Sequence, residues 1–143
     1  MSPEKEQILR NDFPWIFGED CLRIDGYITC GDGWYDLLYI LCCGLEDELS
    51  DIPQPTEVSF TASQIKEKFG LLEFYADSNL NEFDQYKDIS DRMRNLIQHA
   101  KKESGTTCMK CGANGRLRRE GYWHHVYCDR CEGEYQKALN NRE

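Results

Sequence analysis

This 143-residue chain has no run of 18 or more apolar residues, which excludes a membrane-spanning helix. Its opening residues, Met1-Ser2-Pro3-Glu4-Lys5-Glu6, lack the apolar stretch of a secretion signal. The expectation is a cytoplasmic protein whose cysteines stay reduced. There is no internal repeat, which excludes a repeat array, and no low-complexity segment. Proline is scarce, with 4 residues in all, and two of them, Pro53 and Pro55, fall in the one linker-like loop, residues 50–57. Basic side chains are scarce where acids are dense. Residues 1–60 carry 3 Lys and Arg against 13 Asp and Glu, which repels nucleic acid and suits a basic protein surface. Residues 61–103 are nearly balanced, with 7 against 8, and residues 104–143 turn basic, with 7 against 5.

Cysteine is the residue present in excess. Of 8 cysteines, four form two C-x-x-C knuckles, Cys108/Cys111 and Cys128/Cys131, separated by 16 residues. That pairing is a strong zinc signal, because each knuckle lets two sulfurs reach one ion while the backbone turns. Four thiolates close the coordination shell, so the zinc is expected to be structural. Gly115 and Gly121 bracket Arg116-Leu117-Arg118-Arg119 as one arm of a hairpin, and residues 122–127 return as the other. Residues 134–139 favour a helix, which points to a treble clef more than to a zinc ribbon. His124 and His125 lie between the knuckles, where 16 residues are too few for the strand-strand-helix unit of an HNH nuclease. Alternation along a strand places one of them against the sheet and the other toward solvent. Cys21, Cys30, Cys42 and Cys43 lack knuckle spacing and read as buried hydrophobes.

The remainder reads as an α+β core over residues 1–103, with a small mixed sheet and two main amphipathic helices. The zinc module, residues 104–143, is expected to pack on it. Ser2-Pro3-Glu4 starts a helix that must stop before Pro14. Residues 22–30 alternate as a strand or hairpin. Cys30-Gly31-Asp32-Gly33-Trp34 turns into a helix that Asp32 is placed to cap, with Trp34, Leu37, Leu38, Leu41 and Leu45 on one face. Glu46, Asp47, Glu48 and Asp51 cluster at its end, where the dipole disfavours negative charge, and are candidates for a partner-binding face. Residues 58–69 and 71–76 form a hairpin. Residues 81–102 make a long helix ended by Gly105, running directly into the first knuckle.

Three blocks together resemble small zinc-binding proteins of phages and prophages. They are Cys30-Gly31-Asp32-Gly33-Trp34 with Leu37-Leu38 and Leu41-Cys42, then Gln64-Ile65-Lys66-Glu67-Lys68-Phe69-Gly70 with Phe74-Tyr75, and the paired knuckles. The likeness implies a phage-related origin, a zinc-bearing α+β fold and a bacterial host cell, and it implies no reaction. Within the tail, C-x-x-C-G, Arg118-Arg119-Glu120-Gly121, the second C-x-x-C and Tyr135-Gln136-Lys137 are together similar to GATA-type DNA-binding fingers, with a spacing one residue short of theirs and without the family's apolar base-contacting residues. The leading expectation is therefore a non-enzymatic protein whose acidic surface binds a host protein complex, of a nucleic-acid-processing or defence kind, as an inhibitor. The alternative is direct nucleic-acid binding through Arg116, Arg118, Arg119, Trp123, His124, His125 and Arg130. The same arginines would equally neutralise the negative charge of the zinc thiolates. A Mg²⁺-dependent hydrolase built on Asp25, Asp32, Asp36 or Glu46 ranks last, because acids around a helix start are usually caps and solvated surface.

Overall fold

The fold begins as the sequence dictates. Ser2 Oγ accepts the Lys5 N–H at 3.4 Å, and Pro3 opens helix α1 (Pro3–Asp12). In this computed structural model residues 1–18 and 28–142 are described. Pro14 does more than stop α1. It occupies the first position of a second short helix, α2 (Pro14–Phe17), which buries Ile16 and Phe17.

Of the strand expected over residues 22–30, only its end lies among the described residues, as β1 (Ile28–Thr29). Cys21 and Asp25 fall outside them. A 3-10 turn (Asp32–Trp34) then leads into α3 (Tyr35–Ser50), which buries Leu38, Leu41, Cys42, Leu45 and Leu49 along one face. Asp32 does not cap this helix, since no side chain bonds its first turn. Its carboxylate instead accepts the Ser2 N–H at 2.7 Å and ties the start of α1 to the turn.

The hairpin follows as β2 (Phe60–Lys68) and β3 (Leu71–Ser78). Phe60, Ala62 and then Ile65 face inward, because a bulge between Ala62 and Gln64 resets the alternation. The sheet order is β1-β2-β3, with β1 parallel and β3 antiparallel to β2. This is the expected mixed sheet.

The second main helix starts later than expected. Residues 80–86 form two 3-10 turns (Leu80–Glu82 and Asp84–Tyr86) before α4 (Lys87–Ser104). Gly105 follows α4 with φ −65, so it is not a left-handed stop. Helices α3 and α4 run antiparallel: Glu48 pairs with Arg92, and Gly44 lies against Leu96. Ile89, Met93 and Ala100 complete one core with Trp34, Phe17 and Phe74. The chain then enters a second, two-stranded sheet, β4 (Arg116–Arg118) with β5 (His125–Tyr127), and ends in α5 (Asp129–Asn140). Among the described residues no helix is long and apolar enough to cross a membrane.

Candidate metal centre

The four cysteines are brought together by backbone hydrogen bonds at both knuckles. At the first, the Cys108 N–H donates to Ala113 O at 2.7 Å and the Gly112 N–H donates to Cys108 O at 2.8 Å. Gly112 has φ +84, so the curl after Cys111 uses the freedom of a glycine. The Met109 N–H bonds Val126 O at 2.9 Å, which fastens this knuckle to β5. At the second, Cys128 is the N-cap of α5 and its sulfur accepts the Cys131 N–H at 3.4 Å. The order knuckle, hairpin, helix is that of a treble clef.

All four sulfurs lie within 4.8 Å of one another, and Cys111 Sγ and Cys128 Sγ are 3.6 Å apart. A tetrahedral ion with thiolate bonds of about 2.3 Å sets its sulfurs about 3.8 Å apart. The donor set therefore fits a metal ion. Among the described residues it is the one group of His, Cys, Asp or Glu gathered this way. Cys30 and Cys42 are buried apart from it as expected, and burial pushes the Cys30 thiol up to about 12. Cys43, expected to be buried too, is exposed, because α3 turns it away from the face that carries Cys42.

The surroundings prepare thiolates. Burial pushes the Cys108 thiol up, but backbone N–H groups at Cys128, Cys111 and Lys110 outweigh it and bring it down to about 6. Cys131 is pushed up to about 12 by burial and by its three neighbouring sulfurs. Four adjacent thiols cannot all ionise unaided, so a divalent cation would displace the remaining protons. The Arg130 guanidinium lies near the Cys111 and Cys131 sulfurs, whose negative charge holds its proton more tightly. That position suits charge neutralisation at the cluster.

Joining this module to the core is the turn at residues 31–34. The Gly33 N–H donates to Met109 O at 3.0 Å, and Trp34, fully buried at 0% exposure, donates Nε1–H to Thr107 O at 2.8 Å. A Cβ on Gly31 would stand 2.0 Å from Met109 O, and one on Gly33 would stand 2.1 Å from Cys108 O. The two glycines form a cradle into which the backbone of the knuckle fits. The sequence suggested only a turn and a cap here. Its one available signal was a glycine pair with no φ requirement of its own.

The residues named as nucleic-acid contacts divide. Arg118, 6% exposed, donates to Tyr127 O and Asp129 Oδ1, both at 2.9 Å, and so locks β4 to the start of α5. His125 is 3% exposed, with Nδ1 2.8 Å from Trp123 O and Nε2 2.7 Å from Glu132 Oε2. These two hold the module together and are not free to bind. Arg116, Arg119 and Arg130 are exposed and His124, just before β5, is half-buried. The expected alternation is absent, since His125, Val126 and Tyr127 are all buried, covered on both faces. Trp123 stacks on His125, with ring centroids 4.2 Å apart, and borders a cleft of about 560 Å³ shared with Glu67 and Met109.

The acidic cluster divides as well. Glu46 accepts the Trp15 N–H at 3.3 Å and caps α2 from across the core, while Glu48 pairs with Arg92 at 2.9 Å. Asp47 and Asp51 remain exposed. With Asp32 tied to Ser2 and Glu46 to α2, these acids point to different elements instead of converging on one ion. No protein-family model, curated protein or solved structure matches this chain.

Proposed function

We propose that the cysteines hold structural zinc and that the chain is a non-enzymatic interaction protein of the phage type its motifs resemble. Its acidic end would meet a basic surface on a host nucleic-acid-processing or defence complex and block it. A complete shell of four thiolates supports the structural role, because it leaves no coordination position for a reacting water. What carries the partner reading is the exposure of Asp47 and Asp51 at the C-terminal end of α3. Carboxylates there oppose the helix dipole, and neither is used by the fold as Glu46 and Glu48 are. The test is affinity capture from nuclease-treated bacterial lysate with wild type and with Asp47→Lys/Asp51→Lys. The reading expects a partner that the double variant loses. Equal recovery by both proteins would sink it.

A second reading, nucleic-acid binding by the zinc module, is favoured by the exposure of Arg116 on β4 and of Arg119 and Trp123 in the loop that joins β4 to β5.

A further inference from the structure

We propose that the tip of the β2–β3 hairpin joins the β4–β5 loop to form a stacking platform for single-stranded nucleic acid. The proposal rests on the second reading above and extends it to a residue outside the zinc module, Phe69.

Phe69 and Gly70 are the two central residues of the hairpin turn, and both have positive φ, 53 and 85. That is the signature of a type I′ turn, for which Asn-Gly is the favoured pair. A phenylalanine in the left-handed region brings its Cβ against the following carbonyl. Its ring is also 73% exposed, and among the described residues it makes no aromatic contact. Folding gains nothing from either feature. A strained position holding an exposed aromatic ring is the pattern from which function is inferred.

The position of the tip says what the ring does. A Cβ on Gly70 would lie 2.3 Å from Leu117 Cδ1 and 3.6 Å from the His124 carbonyl, so the tip packs directly on the zinc module. Phe69 thereby stands beside the loop that carries Tyr122, fully exposed, and Trp123, 38% exposed. Phe69 adjoins Gly70, and Trp123 and Tyr122 are one and two residues from His124, against whose carbonyl the tip packs. Of the exposed cations, Lys68 adjoins Phe69, Arg119 opens the β4–β5 loop, and Arg116 on β4 is paired at the surface with Glu120 at 3.7 Å. Aromatic faces with interleaved cations suit unstacked bases and their phosphates. A duplex keeps its base faces hidden within the stack, so the single strand is the form that fits. The acidic remainder of the chain limits how much backbone can be engaged. With three cations the slope of log K on log salt is expected near −2.

The experiment uses the full metal-loaded chain, fluorescein-labelled dT20 and a 20-base-pair duplex, read by anisotropy across a KCl series. The expected result is preference for dT20, a slope near −2, and affinity roughly tenfold weaker in Phe69→Asn. Asn suits the turn, so the melting temperature of this variant should hold or rise by about 3 °C, which separates binding from folding. Arg119→Glu tests the parent reading independently. Loss of dT20 binding with Arg119→Glu but not with Phe69→Asn overturns the platform and leaves nucleic-acid binding standing. Preference for duplex also overturns it. No binding to either form at low salt ends both and leaves the aromatic tip to a protein partner.

Discussion

Replacing Gly33 by alanine tests how the zinc module is attached. The added Cβ would meet Cys108 O at 2.1 Å, and Gly112 N and Met109 C at 2.7 Å each. All three are backbone atoms in a knuckle fixed by its own hydrogen bonds, so none can swing aside as a side-chain tip would. The knuckle must lift by an ångström or more. That breaks the Gly33 N–H to Met109 O bond and the Trp34 Nε1 to Thr107 O bond, worth about 1 kcal/mol each. Partial exposure of the Trp34 ring adds about 2 to 3 kcal/mol. A total near 4 to 5 kcal/mol is a large part of the stability of such a chain, equivalent to about 10 to 15 °C in melting temperature. Thermal and urea unfolding of zinc-loaded protein, with metal content measured beside them, gives the answer. Two internal controls calibrate it. A Cβ on Gly44 meets only the Leu96 side chain, at 3.1 Å, and one on Gly133 meets nothing within 4 Å. Gly44→Ala should stay within about 1 kcal/mol of wild type, and Gly133→Ala should stabilise α5 by about 0.5 to 1 kcal/mol. If Gly33→Ala melts with wild type and keeps its metal, the cradle does not hold the module.

Three further outcomes are expected. Cys108→Ser or Cys128→Ser, and equally chelation of wild type, should unfold the module and expose its thiols, since a structural metal supplies folding free energy; undiminished thiol protection after chelation would contradict the metal assignment. Arg118→Ala should cost about 2 to 4 kcal/mol in urea unfolding, because it strands the buried Tyr127 carbonyl, whereas Arg119→Ala should stay within about 0.5 kcal/mol; equal effects would refute the division between them. The Tyr39 hydroxyl donates to Asp12 Oδ2 at 2.7 Å, a bond that, with a little burial, pushes its ionisation up to about 12. The neutral phenol is the favoured form, so this contribution to stability is intact below about pH 10 and fades as pH rises through 12. Ultraviolet titration of the tyrosines should show this late group, and Asp12→Asn should move it back toward ordinary values; no movement would refute the pairing.

What the sequence made legible was local. The knuckles, Ser2 and the single buried face of α3 can be read because their partners lie within a few residues or repeat with a fixed period. The cradle could not, because the knuckle backbone that fills it is as remote in sequence as Thr107 is from Trp34, 73 residues. The late start of α4 was hidden for a different reason. Phe83, Tyr86 and Ile89 recur every three residues, a spacing that 3-10 turns and an α-helix share. Arg118 and His125 were misjudged as available because a three-residue strand gives no sign of which face a following helix will cover. Glu46 was placed on a partner face for a like reason, since its true partner is the backbone of Trp15, across the core. The acidic cluster was read correctly as charge and only half correctly as surface.

The distance between the cradle and the knuckle also sets an order of events at the ribosome. Chains emerge at about 5 to 20 residues per second, so the turn holding Trp34 is made about 4 to 15 s before Thr107, 73 residues later. Throughout that interval the indole has no acceptor and the glycine turn has nothing to grip. The growing chain must carry an uncovered tryptophan until Thr107 and the first knuckle emerge, and the lasting closure of the cradle would wait on the zinc proposed above. Zinc supply during synthesis would then govern how long this nascent protein stays sticky, and with it the yield of folded chains.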